Sequence, residues 1–159
     1  MDEREIPNHW KGRCFSCSQT NTKGLGLRFW LSEHGCYTRC TIPEYLCGID
    51  GLAHGGMIAL LFDEVAEWTM IGRLGKMGMT REISVRYLKP VPTNTEILVE
   101  GQIINQNDKN VVVRSTIHSA DDELLAESES NWVLASLSTI AKLSAVDELT
   151  LQEFLAKYP

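Results

Sequence analysis

The stretch from Gly51 to Ile71, GLAHGGMIALLFDEVAEWTMI, constrains the fold more than any other part of the sequence. It begins with glycines, passes through His-Gly-Gly at 54–56, and continues as a run that is apolar on almost every side at helical pitch. The three acids of this run, Asp63, Glu64 and Glu67, fall within one arc of about 100°. The stretch therefore predicts a buried central helix whose acids face a wet cleft or have a chemical role.

Length and composition are those of one globular domain. The 159 residues are 43% hydrophobic and 23% charged, which is ordinary for a soluble protein. The net charge of −6 comes without a long basic run, which argues against a nucleic-acid partner. The acidic start has no signal-peptide pattern, and no apolar run reaches the roughly 18 residues of a membrane span. We therefore expect a cytoplasmic protein with no membrane partner.

The five cysteines are an odd number in a chain without an export signal, so we expect reduced thiols rather than disulfides. Cys14 and Cys17 form a single C-x-x-C, which is half of a zinc site. Only His9, Cys36 and Cys40 could supply the remaining ligands. Because one half-site is a weak signal, the favoured interpretation is a packed turn, with no metal and no cofactor, and structural zinc remains the alternative.

Periodicity predicts the remaining elements. Residues 25–43 read as a β-hairpin, and the glycines after Ile71 end the helix near Gly72. Four alternating stretches follow, joined by short polar turns, and favour an antiparallel meander: 80–89, 96–105, 111–118 and 124–135. The tail from Leu143 to Tyr158 has a helical pattern. The predicted class is α+β, with a long central helix wrapped by a curved antiparallel sheet and covered elsewhere by a partner subunit.

Three motifs in this order resemble the hotdog-fold acyl-CoA thioesterases, specifically the PaaI-like (phenylacetate-pathway) branch. They are C-x-x-C…N-x-x-G-L-x-L-x-F from Cys14 to Phe29, His-Gly-Gly at 54–56 with Asp nine positions after the His, and T-x-x-I-x-V-x-Y-L-x-P from Thr80 to Pro90. We expect a hotdog domain at 25–136, after an irregular segment at 1–24 and before a helical extension at 137–159.

The resemblance implies roles for individual residues. Asp63 matches the general base or nucleophile, and Gly55 matches the residue whose backbone N–H polarises the thioester carbonyl. Thr80 matches a hydroxyl that helps to place the attacking water, and His54 matches a histidine beside the oxyanion site. The expected substrate-binding residues are Gly56, Glu67, Arg81 and Arg86. Gly48 departs from the pattern, since some relatives have Asn there, and Arg81 stands where many have a small residue.

The residues themselves leave several of these roles open. His54 could instead hold the glycine turn by a hydrogen bond to backbone. Thr80 has the opposite parity from Ile83, so it reaches the same cavity only if the strand begins irregularly. Glu64 competes with Asp63 as the catalytic acid. Glu67 lies one turn from Asp63, where it could support that residue or reach solvent.

Helical pitch sets a further requirement. Eight residues separate Gly55 from Asp63, which is roughly 12 Å along one helix. A single carbonyl cannot lie about 3 Å from both, so we expect the site to combine Gly55 of one subunit with Asp63 of another. This predicts a homodimer with antiparallel central helices, or a dimer of such dimers.

The predicted function is hydrolysis of an acyl-CoA thioester to a carboxylic acid and CoA. Two alternatives stay open at this point: a non-catalytic acyl-CoA binder or sensor, and a hydratase or dehydratase on the same fold.

Overall fold

A computed structural model of the protein describes residues 4–159. One long helix and one large sheet dominate it. The elements are β1 (Glu5–Ile6), β2 (Phe29–Leu31), β3 (Gly35–Thr41), β4 (Cys47–Ile49), β5 (Leu52–Ala53), α1 (Gly55–Leu74), β6 (Gly78–Tyr87), β7 (Glu96–Gln106), β8 (Asn110–Ser119), β9 (Leu124–Leu134), α2 (Leu137–Leu143) and α3 (Glu148–Leu155). None of the helices within residues 4–159 is both long and apolar enough to cross a bilayer.

The large sheet has seven strands in the order β1-β2-β3-β7-β8-β9-β6, and all neighbours are antiparallel. Strands β4 and β5 form a separate ribbon that leads directly into α1. The predicted α+β class, with an antiparallel sheet against a long central helix, is confirmed.

The predicted four-strand meander is wrong at its first strand. Strands β7, β8 and β9 are consecutive neighbours, but β6 pairs with β9 instead of β7. The segment between β6 and β7 explains this, since it contains Pro90 and Pro92 and crosses the end of the sheet as an extended connection. The N–H of Lys89 donates to Leu125 at the start of β9, and the N–H of Asn94 donates to Ile42 just after β3. These contacts exclude a tight turn between β6 and β7, so β6 lies at the far edge of the sheet.

Helix α1 and the first hairpin form as predicted. The helix ends at Gly75, whose left-handed conformation (φ 60°) suits a residue without a side chain. In the hairpin, Trp30 pairs with Tyr37. Strand β2 is shorter than predicted, because Gly26 has a φ of 57° and bends the chain before Phe29. The N-terminal segment was predicted to be irregular over residues 1–24. Within residues 4–24 it has no helix and no strand apart from the two residues of β1.

The helix packs unusually close to the sheet. A Cβ at Gly101 of β7 would lie 2.5 Å from the hydroxyl of Thr69 and 3.1 Å from the carbonyl oxygen of Val65. Thr69 is fully buried there and donates to that same carbonyl at 2.7 Å. Because Gly101 has no side chain, the backbone of β7 can approach α1 closely at this position.

A second face of α1, centred on Trp68, is covered by β2 and by the two ends of the same chain. Trp68 stacks on Phe29 with ring centroids 5.3 Å apart, and Phe154 of α3 meets Trp68 edge-on at 6.5 Å. Trp10 packs in turn against Phe154 at 5.2 Å. Part of the surface that was predicted to need a partner subunit is thus buried within the chain.

The C-terminal tail forms two helices, not the single helix predicted from Leu143 to Tyr158. Ser136 and Asp147 each cap a helix, accepting the backbone N–H of Thr139 at 3.2 Å and of Thr150 at 2.9 Å. Two N-caps eleven residues apart start two helices, and the chain between them is irregular.

The carboxyl group of Glu67 on α1 is enclosed between the helix and the start of β6. Neither oxygen has a hydrogen-bond partner of normal geometry among the described residues. Burial raises the pKa of Glu67 well above its usual value, and the backbone N–H of Gly78 opposes only part of this effect. This placement excludes the predicted alternative in which Glu67 reaches solvent.

The enclosed carboxyl should make stability depend on pH. It ionises near pH 4.5 when the chain is unfolded, but only at a much higher pH when the chain is folded. Its contribution is complete below pH 4.5 and is lost as the pH rises toward the folded pKa. Relative to Glu67→Gln, we expect the unfolding free energy of the native chain to fall by about 1.4 kcal/mol per pH unit in that range.

Urea unfolding between pH 5 and 8, at one fixed protein concentration, measures this difference. Glu82→Gln is the matched control, because Glu82 is an exposed carboxyl on the neighbouring strand. Parallel pH curves for the native chain and Glu67→Gln would contradict the prediction.

Candidate active site

The start of α1 is held by hydrogen bonds that leave one amide free. His54 is the N-cap residue; its own N–H donates to Leu46 at 3.0 Å, and its Nδ1 accepts the N–H of Gly56 at 2.9 Å. The N–H of Met57 donates to the carbonyl of His54. The N–H of Gly55 has no partner among the described residues. A helix N-terminus carries partial positive charge, so this amide is suited to an anionic oxygen.

The hydrogen bond from Gly56 is the backbone contact of one of the two roles predicted for His54, and a contact of its ring with substrate remains a prediction. The ring satisfies a backbone donor of the first turn, and so fixes the direction of the neighbouring Gly55 amide. Gly56 itself is exposed, but its N–H is taken by this cap.

Asp63 lies two turns further along α1 and is half-buried. The hydroxyl of Thr80, on β6, donates to its Oδ1 at 2.6 Å. Such a bond orients the carboxylate and leaves its second oxygen available to a water molecule or a substrate. The sequence-predicted pair Asp63 and Thr80 is therefore brought together.

A β-bulge at the start of β6 explains how Thr80 reaches Asp63. Thr80 pairs with Trp132 and Glu82 pairs with Asn131, so Arg81 is an extra residue. The bulge reverses the alternation and puts Thr80 on the same face as Ile83, which faces the helix. This is the irregular strand entry that the parity argument required. Arg81, as the bulged residue, is exposed.

Tyr87 is a site residue that the sequence analysis did not single out. Its hydroxyl donates to the carbonyl of Gly55 at 2.9 Å and so ties the end of β6 to the start of α1. The signal was present, because Tyr87 shares the parity of Ile83 and Val85 at the cavity end of the strand.

A cleft of about 630 Å³ opens beside these groups. It is bounded by the β4–β5 ribbon, the first turn of α1 and the chain after β6, and its lining includes Gly48, His54, Gly55, Tyr87 and Lys89. A side chain at Gly48 would come within 3.2 Å of the His54 backbone. The β4–β5 ribbon therefore approaches the start of α1 closely at Gly48.

The other predicted substrate-binding residues do not line this cleft. Arg86 lies on the outer face of β6 and pairs with Glu127 at 2.7 Å. Glu67 is enclosed behind Asp63, as described above. The substrate contacts predicted for Glu67, Arg81 and Arg86 remain predictions.

Glu64 points away from Asp63 and toward the N-terminal segment. Trp68 donates its indole N–H to Glu64 at 3.1 Å, and the sulfur of Cys14 lies 3.8 Å from both carboxylate oxygens. Burial, together with the nearby Cys14, raises the pKa of Glu64 to about 7. Glu64 therefore does not share the Asp63 position.

Cys36 and Cys40, two of the residues that could have completed the zinc half-site at Cys14 and Cys17, lie on β3 and do not join that pair. Cys36 is buried on β3 beside Thr69, 3.2 Å from its hydroxyl. Burial raises the pKa of both Cys36 and Cys40 to about 12. All five cysteines are free thiols.

Known proteins with similar sequence and fold are thioesterases. Residues 50–126 match the family described as the thioesterase superfamily. Acyl-coenzyme A thioesterase THEM4 of Mus musculus is 30% identical over 81 residues, which cover 51% of this chain and 34% of that protein. The chain thus spans about a third of the length of this curated relative.

Solved structures agree with the sequence matches. A thioesterase superfamily protein aligns with a TM-score of 0.66 and 26% identity, covering 71% of this chain and 56% of that one. A hypothetical thioesterase of Streptococcus pneumoniae TIGR4, solved with coenzyme A, aligns with a TM-score of 0.64 and 19% identity over 69% of this chain and 86% of that one. Residues 50–126 thus resemble the thioesterase superfamily, and the chain has the fold that these solved structures share.

Proposed function

We propose that this protein is an acyl-CoA thioesterase that releases a carboxylic acid and CoA. The observation that carries the proposal is the unpartnered Gly55 amide at the start of a helix that also carries Asp63, itself oriented by Thr80. Thioester hydrolysis needs a donor for the oxyanion and an activated nucleophile, and these groups are of those two types. The curated relative named above is an acyl-coenzyme A thioesterase, which supports the same substrate class.

In the proposed reaction the thioester carbonyl accepts the N–H of Gly55. Asp63 removes a proton from the attacking water, or attacks the carbonyl itself, while Thr80 holds its other oxygen. Negative charge grows on the carbonyl oxygen as the tetrahedral intermediate forms, and the fixed amide stabilises it. Collapse of the intermediate expels the CoA thiolate, which takes up a proton. Where Asp63 is the nucleophile, a water molecule then hydrolyses the acyl–Asp63 anhydride and releases the carboxylic acid.

The cleft beside Gly55 is the proposed entry for the acyl-CoA. Its volume of about 630 Å³ is within the range of small-molecule sites. We assign the chain to the PaaI-like branch on the motifs from Cys14 to Phe29 and from Thr80 to Pro90. The solved neighbour with coenzyme A supports the use of a CoA ester, since the two proteins share a fold.

Each reacting centre combines two chains in this proposal. The roughly 12 Å between Gly55 and Asp63 on one helix remains too long for a single carbonyl. Strand β6 offers the pairing surface, because it is a ten-residue edge strand with Met79 and Tyr87 about half exposed. A long open edge of this kind is normally covered, and a two-fold copy would cover it.

Removal of the Asp63 carboxylate should abolish turnover. We expect Asp63→Asn and Asp63→Ala to lower kcat/KM at least about 100-fold, because both remove the base or nucleophile. The measurement is thiol release from a panel of aryl, short, medium and long acyl-CoAs. Glu153→Gln, which removes an exposed carboxyl on α3 and leaves β6 unchanged, should keep native rates. If the native chain binds these esters and releases no thiol from any of them, it is a binder and the proposal fails.

Removal of the Gly55 N–H alone should have a comparable effect. Proline is tolerated at the first position of a helix, and His54 before it is already extended (φ −62°, ψ 135°). We expect Gly55→Pro to lower kcat by about 100- to 1000-fold with little change in stability. Gly55→Ala keeps the N–H, and its Cβ would lie 3.5 Å from Tyr87, an ordinary contact. Equal kcat losses in both variants would show that the amide is not the donor.

Mixed dimers can test the two-chain site directly. Co-expressed Asp63→Asn and Gly55→Pro chains with different tags form heterodimers that keep one intact Gly55–Asp63 pair, if the pair spans two chains. Random mixing should then restore about a quarter of native activity, since half of the dimers carry one working site of two. If both residues act within one chain, every site is defective and activity stays at the level of the single variants.

A further inference from the structure

A second polar cluster lies where the N-terminal segment meets α1. The sulfur of Cys14 is 3.8 Å from each carboxylate oxygen of Glu64. The ligand atoms of Cys14, Cys17 and Glu64 all lie within 4.8 Å of one another. These two thiols and one carboxylate take no part in the proposed reaction.

Backbone hydrogen bonds fix the turn that carries Cys14 and Cys17. The N–H of Ser18 donates to the carbonyl of Cys14 at 3.1 Å and closes the turn. The N–H of Leu27 donates to Ser16 at 2.9 Å and holds the turn against the domain.

The charge of the cluster is not balanced by protein cations. Glu64 makes no ion pair with Lys, Arg or His within residues 4–159. Its polar contacts are the Trp68 indole and the two-cysteine turn. Buried acidic groups of this kind are normally paired or coordinate a metal.

We propose that Cys14, Cys17 and Glu64 bind a zinc ion, with a solvent molecule as the fourth ligand. Two thiolates and a carboxylate are ligands that Zn²⁺ accepts, and they exclude the hard cations that prefer oxygen alone. Cys14 is half-buried, so solvent reaches this position. The site differs from the zinc site that the sequence suggested, because a helix carboxylate replaces His9, Cys36 and Cys40.

The ion would fasten the N-terminal segment to α1 one residue after Asp63. It would therefore stabilise the packing of the N-terminal segment against α1 and would leave the cleft beside Gly55 open. The zinc site does not depend on the proposed thioesterase activity, and it can be tested without a substrate.

Metal content of the reduced, purified chain tests the site. We expect about one zinc per chain by mass spectrometry of the metal, lost in Cys14→Ser and Cys17→Ser and weakened in Glu64→Gln. Cobalt(II) added to the apo chain should give a sulfur-to-metal absorption band in the near ultraviolet that the same variants lack. Cys47→Ser is the matched control, since Cys47 is half-buried like Cys14 but lies on β4, outside the cluster.

Protection from trypsin tests the anchoring. Arg13 and Lys23 are exposed and flank the two cysteines, so chelation should accelerate cleavage at both sites and zinc should reverse it. Zinc should also raise the Tm of the apo chain, and the rise should be smaller in Glu64→Gln, which keeps both thiols.

Three results would overturn the proposal. One is a reduced chain that holds neither zinc nor cobalt, and another is a metal content that Cys47→Ser removes but Cys17→Ser does not. The third is a Cys14–Cys17 disulfide in the protein as isolated under reducing conditions.

Discussion

The burial of α1 is the constraint on which the rest of the structure depends. A helix that is apolar on nearly all sides must be enclosed, and a sheet can cover only one of them. Here the sheet packs closely against one face of α1 at Gly101, which has no side chain. Trp10, Phe154 and Tyr158, from the two ends of the chain, cover the face of α1 that carries Trp68. What remains open is the end of the helix at Gly55 and the edge beside β6.

That enclosure gives three neighbouring acids three environments. Asp63 faces the entry of β6 and meets a hydroxyl, Glu67 is shut in behind it, and Glu64 turns to the two-cysteine turn. The differences come from the helix, on which Glu64 projects about 100° away from Asp63, and from the elements packed against each side chain. A base, a neutral carboxyl and a metal ligand can therefore arise within five consecutive positions.

The long connection after β6 has a similar organising effect. Its two prolines prevent a hairpin, so the chain crosses the end of the sheet and brings Val91 to the β4–β5 ribbon, where the N–H of Ala53 donates to it at 2.8 Å. The ribbon in turn delivers His54 to the helix start. One feature thus places β6 at an open edge and also completes the wall of the cleft.

The sequence by itself determined the central helix, the hairpin and the later strands, because these follow from periodicity and local turn chemistry. It also identified Asp63 and Gly55 as candidates, through their spacing. Only the tertiary structure decided that a bulge turns Thr80 toward Asp63, that β6 pairs with β9, and that Glu64 meets Cys14. Each of these depends on contacts between residues far apart in the chain, for which local patterns carry no signal.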